Sequence, residues 1–218
     1  MDSRIVDKLR EKLSGRPKVL DVGFGTGRIV FDILMSLDPI QIVGIESQTR
    51  AQIQSCLQPF VYHGITQDKG VLSLVSDREI DLFDYYQHYA KTLEKTAVDF
   101  DTFDRNVQLH FEMEFDKFLA LDKSRFDLVV LFNVLHYTSL GEPLNVIEKV
   151  KNILTENGLL LIAFKDYKHS LTNLDRQKVR VDNIIQHLNN DFDLLLFEKF
   201  EDSESTIYVG QRYALQQP

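Results

Sequence analysis

The sequence predicts an α/β fold: a doubly wound, mostly parallel seven-stranded sheet with an antiparallel C-terminal strand. Three observations carry this. A short apolar run leads directly into a glycine-rich turn and then into a helical repeat. Two later runs, 126–132 and 159–164, are apolar almost throughout, as expected of strands buried on both faces. Helical and strand periodicities alternate along most of the 218 residues.

Residues 3–14 read as an amphipathic helix, with Ile5, Val6, Leu9 and Leu13 at helical spacing and Gly15 suited to a left-handed cap. Residues 18–22 form the first strand and run into Gly23-Phe24-Gly25-Thr26-Gly27. Ile29, Val30, Ile33, Leu34 and Leu37 mark a second helix, stopped by Asp38-Pro39. A second strand, 41–45, ends in Glu46. Strand, glycine turn, helix, strand and acidic residue make a βαβ unit with its ligand end at the strand C-termini. Val107, Leu109, Phe111 and Met113 alternate, so 107–113 reads as the third strand, and 126–132 is the fourth. Residues 143–154 carry Leu144, Ile147, Val150 and Leu154 on one helical stripe, and Asn157-Gly158 turns the chain into the fifth strand. A helix around 175–189 bears Val179, Ile184, Ile185 and Leu188. Residues 192–200 and 206–213 are strands joined by the short polar link Glu201-Asp202-Ser203-Glu204-Ser205, which implies an antiparallel hairpin.

Residues 60–105 break the alternation. Roughly 60 residues separate Glu46 from Val107, where a single crossover helix needs far fewer. The whole of 1–218 is therefore read as one domain with an insertion at about 60–105, a lid or substrate-binding element. Within it, Ser76-Asp77-Arg78-Glu79 has the pattern of a capping box. The helix that follows bears Leu82, Phe83, Tyr86, Tyr89, Ala90 and Leu93. Tyr62, Tyr85, Tyr86 and Tyr89 are candidates to wall an acceptor pocket, although such residues more often form the packing face of a helix.

The glycines carry chemistry. A turn pressed against a bound ligand has no room for Cβ atoms, and Gly23, Gly25 and Gly27 let the backbone approach. A dinucleotide turn wants G-x-G-x-x-G, with its third glycine where Arg28 stands, so a nucleotide-dependent oxidoreductase is disfavoured. The spacing here is G-x-G-x-G, with Asp21 two residues ahead. An acid before the glycines suits a ligand carrying positive charge, such as an amino-acid ammonium or a sulfonium.

The run Val19-Leu20-Asp21-Val22-Gly23-Phe24-Gly25-Thr26-Gly27-Arg28 resembles the first motif of the class I S-adenosylmethionine-dependent methyltransferases. Glu46 stands 19 residues after Gly27, where that family places an acid on the two ribose hydroxyls. Phe126-Asp127-Leu128-Val129-Val130 followed by Asn133-Val134-Leu135-His136 is similar to the fourth motif of the small-molecule branch. Asn157-Gly158-Leu159-Leu160-Leu161-Ile162 resembles the turn and strand that come next. The resemblance covers 18–47 and 107–213. It implies a Rossmann-like fold with S-adenosylmethionine as cofactor, held by Asp21, Gly23, Phe24, Gly25, Gly27, Glu46 and Asn133, the last near the methionine moiety. It also implies an adenine contact at the end of the third strand. Glu114 and Phe115 fit that role best, with Glu112 or Met113 a small register shift away. His136 is the candidate catalytic base near the methyl group; its alternative role is to pack against or cap the helix after strand four.

A methyl on a sulfonium is already electrophilic, so such a reaction is an in-line displacement in which the protein aligns the reactants and excludes water. The composition narrows the acceptor. With 25 Lys+Arg against 33 Asp+Glu the net charge is −8, and no basic run offsets it, so no nucleic-acid partner is expected. The Asn/Asp-Pro-Pro-Tyr/Phe clamp common in methylation of amide or base nitrogens is missing after Asn133. Pyrimidine C5 methylation needs a cysteine nucleophile, and the single cysteine, Cys56, follows strand two. A small-molecule acceptor remains, with a protein or peptide side chain as the alternative. A reading from another class is a cofactor-binding partner or regulatory subunit without transfer activity. One cysteine allows no internal disulfide, the opening residues hold no apolar signal core, and no run is long enough to span a bilayer. A cytoplasmic chain without membrane contact is expected, and a homodimer is left open. Histidines 63, 88, 110, 169 and 187 show no ligand spacing with one another or with Cys56, so no metal is expected.

Overall fold

The structure, a computed structural model, describes residues 1–53, 82–135, 142–165, 174–200 and 205–213. In chain order the elements begin with α1 (Ser3–Lys12), β1 (Lys18–Val22), α2 (Arg28–Leu37) and β2 (Gln41–Ile45). Then come α3 (Leu82–Thr92), α4 (Phe100–Asn106), β3 (Val107–His110), α5 (Phe115–Leu121) and β4 (Phe126–Phe132). The last are α6 (Glu142–Ile153), β5 (Leu154–Lys165), α7 (Leu174–Asp191), β6 (Phe192–Phe200) and β7 (Ser205–Arg212).

The strands join in the order β3-β2-β1-β4-β5-β7-β6. The first five are parallel, and β7 runs antiparallel to both β5 and β6. The chain starts at β1, moves outward through β2 and β3, then returns to β1's other side with β4. That reversal is a topological switch point, and it opens a crevice beyond the C-terminal ends of β1 and β4.

Each face of the sheet has its own apolar core. Val19, Ile42, Val130 and Leu161 point to one side, where Leu9 of α1, Phe31 of α2, Tyr86 of α3 and Phe103 of α4 cover them. Leu20, Val43, Val129 and Leu160 point to the other, against Phe118 of α5, Ile147 of α6 and Leu188 of α7. Period-two alternation inside wholly apolar strands thus feeds two helix layers.

Several boundaries differ from those expected. α1 stops at Lys12, because Leu13 turns extended while its N–H still donates to Leu9 O, and Gly15 takes its positive φ two residues later. β3 ends at His110 rather than Met113. Glu112 adopts φ +54, its N–H donates to Gln48 O, and the Met113 N–H donates to Glu46 O, so the chain folds back over the end of β2. β5 starts at Leu154, opposite Phe126, and shifts register before Leu159 meets Leu128. The two short helices α4 and α5 were not anticipated. Asp99 starts α4 by accepting the Thr102 N–H at 2.8 Å.

The described part of the insertion packs on α2. The Phe31 ring lies 5.2–6.3 Å from the rings of Tyr85, Tyr86, Tyr89 and Phe103. Tyr86 is fully buried and its hydroxyl accepts the Val98 N–H at 2.8 Å. The Tyr89 hydroxyl donates to Asp32 at 3.2 Å. Of the two uses foreseen for these tyrosines, they serve the packing one. Tyr62 and the capping box at 76–79 lie outside the described residues. Among the described residues no helix is long and apolar enough to cross a membrane.

Candidate functional site

A cleft of about 1000 Å³ opens beyond the C-terminal ends of β1, β2 and β4, where Val22, Ile45 and Phe132 reach its wall. The glycine turn forms one side. Gly23 N–H donates to Ile45 O at 2.8 Å, which fastens the turn to the end of β2. A Cβ on Gly23 would sit 2.8 Å from Val134 Cγ2, a contact side chains do not make. Gly25 adopts φ +53, and an added Cβ would have nothing nearer than 3.9 Å. The backbone there is strained for any other residue, and the space in front of it belongs to the cleft.

Glu46 ties the turn to its surroundings. It is 8% exposed; its Oε2 accepts the Gly25 N–H at 3.0 Å, and its Oε1 accepts the Gln48 N–H at 3.0 Å and the Ser47 hydroxyl at 3.3 Å. Its own N–H donates to His110 O, and its carbonyl accepts from Met113. One acidic residue thus joins the glycine turn, β2 and the fold-back after β3, and Oε2 keeps acceptor capacity toward the cleft.

Asp21 is 1% exposed, and neither carboxyl oxygen has a hydrogen-bond partner among the described residues. Burial, and after it the negative charge of Glu46, holds this carboxyl well above the usual carboxylate range. Asn133 follows β4 with φ +60, its N–H donating to Ala163 O at 3.0 Å, and its Oδ1 is likewise buried and unpartnered. Three side-chain oxygens without a hydrogen-bond partner among the described residues, two on Asp21 beside the glycine-walled cleft and one on Asn133 at it, fit a ligand that brings N–H donors and positive charge. That is the chemistry of an amino-acid ammonium, so the residues present suit S-adenosylmethionine.

The structure brings Gly23, Gly25, Glu46, Glu114, Phe115 and Asn133 together at the cleft. Met113 also lines it, whereas Glu112 does not. Glu114 is the N-cap residue of α5 and Phe115 its first residue. Asp21, two residues before Gly23, is buried and is not among the residues that line the cleft. The Phe24 side chain turns away. It is 5% exposed, lies on Gly44, and meets the Phe111 ring edge-on at 5.2 Å, so only its backbone belongs to the turn. Gly27 is the N-cap of α2 and lies over Phe31 rather than on the cleft. His136 lies outside the described residues.

Sequence reasoning missed part of the lining. Ser47 and Gln48 follow Glu46 directly, and their place at a strand end was the available signal. Lys149 and Asp116, paired at 2.6 Å, bridge α6 and α5 at the cleft's edge. They are 33 residues apart, and no local pattern links them. Among the described residues one group of metal-ligand type also forms: Glu148, His187 and Asp191 bring ligand atoms within 4.8 Å of one another. The Lys151 ammonium lies 2.5 Å from Asp191 and 3.8 Å from Glu148, so the group is an ion-pair network, and none of its members lines the cleft.

The family described as a methyltransferase domain matches residues 3–193. Three solved structures are similar. The ribosomal protein L11 methylase of Lactobacillus delbrueckii subsp. bulgaricus is 15% identical, over 97% of this chain and 78% of that one, with a TM-score of 0.51. The N-methyltransferase NodS of Bradyrhizobium japonicum WM9, in complex with S-adenosyl-L-homocysteine, is 12% identical over 96% and 86%, with a TM-score of 0.54. A putative rRNA-methylase of Clostridium thermocellum is 13% identical over 97% and 94%, with a TM-score of 0.56. At these identities the likeness is one of fold. No curated protein matches the sequence.

Proposed function

The chain belongs to the methyltransferase-domain family and is a class I S-adenosylmethionine-dependent methyltransferase, and from that premise we propose that it methylates a small-molecule acceptor by in-line displacement. The observation that carries the site assignment is the glycine-walled cleft, with Asn133 on its lining and buried Asp21 beside it, whose three side-chain oxygens have no hydrogen-bond partner among the described residues. Gly23 and Gly25 give the cofactor close backbone approach. Asp21 and Asn133 receive its ammonium, Glu46 receives its ribose hydroxyls, and Glu114 and Phe115 border its adenine. When bound, S-adenosylmethionine supplies a methyl group on a sulfonium. The chain's own task is to hold that cofactor in one pose and keep water from the reacting line. His136 acts as base where the attacking atom has a proton to lose.

The acceptor class rests on charge. A chain of net charge −8 without a basic run gives poor attraction to nucleic-acid phosphates, and the nitrogen-methylating clamp is absent after Asn133. The similar folds named above act on different kinds of acceptor, so fold does not choose among them. The test is transfer from methyl-labelled S-adenosylmethionine into a cell extract separated into small-molecule, protein and RNA fractions. Label in the small-molecule fraction is the expected result. Label confined to protein or RNA would overturn the acceptor class and leave the cofactor assignment intact.

A further inference from the structure

A carboxylate stays ionised inside a protein only when donors or a cation replace the water it has lost. Three acids are buried among the described residues: Asp21, Asp32 and Glu46. Asp32 on α2 accepts from the Met1 ammonium and the Tyr89 hydroxyl. Glu46 accepts from two backbone amides and a hydroxyl. Asp21 has nothing. Its neighbours across the sheet are Gly44 on β2 and Val130 on β4, neither of which carries charge or a side-chain donor. On the helix layer of the same face, Asp32 is taken as described, and Arg28 reaches the Tyr85 hydroxyl at 3.5 Å. The charge that does act on Asp21 is that of Glu46, and it is of the wrong sign. Two neighbouring acids, one of them fully buried and with no compensating cation among the described residues, favour a neutral form for the buried one.

Asp21 also stands two residues from the cleft-lining Gly23, about 7 Å along the strand. A cation entering the cleft changes its balance directly, because low-dielectric surroundings weaken charge interactions little over that range. We propose that Asp21 captures the cofactor's ammonium by proton exchange: its carboxyl is neutral in the free protein and gives up one proton for each cofactor bound. The inference rests on the reading of this cleft as the S-adenosylmethionine site. The step balances simply. Asp21–COOH and the ligand's –NH3⁺ become a carboxylate–ammonium pair, and the proton passes to the buffer. Burial then favours the pair, because each charge offsets the other's lost hydration, and the ammonium also screens Glu46 from Asp21. One consequence is that cofactor affinity rises with pH, up to about tenfold per unit, while the free protein holds Asp21 protonated. Above that interval it levels off.

The experiment is isothermal titration of the full chain with S-adenosylmethionine and with S-adenosylhomocysteine, in buffers of low and high ionisation enthalpy. It is run at about pH 6.5, where an α-ammonium is still charged. The slope of observed heat against buffer ionisation enthalpy counts protons. About one proton released by the wild type, and about none by Asp21→Asn with weaker binding, is the expected result. A wild type that binds with zero slope overturns the proton exchange while leaving the cofactor site in place. A full slope that persists in Asp21→Asn overturns the assignment to Asp21. No binding of either ligand by folded protein overturns the site and the proposal with it. If Asp21→Asn does not fold, an infrared difference spectrum of the wild type decides. The C=O band of a neutral carboxyl must disappear on binding, and its persistence overturns the exchange.

Discussion

Asp21 ties the stability of the cofactor-free protein to pH. Burial and Glu46 raise its folded carboxyl well above the unfolded value, so the folded chain holds a proton that the unfolded chain has lost across the interval between the two. The stability contributed by the neutral carboxyl is complete below the unfolded pKa and is lost as pH rises toward the folded one. Asp21→Asn keeps the shape and cannot ionise. It should melt with the wild type below the unfolded pKa of about 3.9 and increasingly above the wild type as pH rises toward neutrality, as thermal melts of both proteins at stepped pH would reveal. A gap that does not change with pH contradicts the account. Glu46 matters as the acceptor for the Gly25 and Gln48 amides. Glu46→Ala leaves the Gly25 and Gln48 N–H groups without it, at a cost of about 1–3 kcal/mol in urea unfolding. Cofactor titration of the same variant should show affinity at least about tenfold weaker, a loss of 1.4 kcal/mol or more. Both acids were legible in the sequence, by position around the glycines. Their difference was not, since it depends on which donors the fold turns toward each carboxyl, Gly25, Ser47 and Gln48 for Glu46 and none among the described residues for Asp21.

Between elements, the contact that matters most to the site is α3 on α2. Phe31 sits at the centre of the aromatic cluster, and its Cζ lies 3.0 Å from where a Gly27 Cβ would stand. The insertion therefore presses on the helix that begins at the glycine turn. Phe31→Ala should cost about 3–5 kcal/mol in equilibrium urea unfolding, because a buried ring is replaced by a cavity. A loss below about 1 kcal/mol would mean the cluster relaxes around the gap and does not support the turn. The helices with a clear apolar stripe were readable from sequence. α4 and α5, seven residues each, are too short to show one. β3 looked longer than it is because Phe111 and Met113 continue the alternation that Glu112 breaks with its left-handed backbone. Nothing local to Glu112 signals that break; it follows from hydrogen bonds to Gln48 and Glu46, more than sixty positions earlier.

For the whole molecule, the sheet order was legible because each strand's burial writes itself into its composition. Runs apolar on both faces fell at the centre, and the closing hairpin with its polar link fell at one edge. The reversal between β1 and β4 then determines where a ligand can enter. The cleft lies there, and four of the residues that line it, Gly23, Gly25, Glu46 and Asn133, come from the ends of three different strands. What sequence could not supply was the edge formed by α5 and α6, whose pairing through Asp116 and Lys149 exists only in the folded chain. The central claim is that this glycine-walled cleft holds S-adenosylmethionine. Its most direct test is isothermal titration of wild type and Gly25→Val with S-adenosylmethionine, with the fold of both checked by circular dichroism. The account predicts binding by the wild type and none by a folded Gly25→Val, whose side chain would occupy the cleft from a backbone that disfavours it. Equal affinity in the two folded proteins would contradict it.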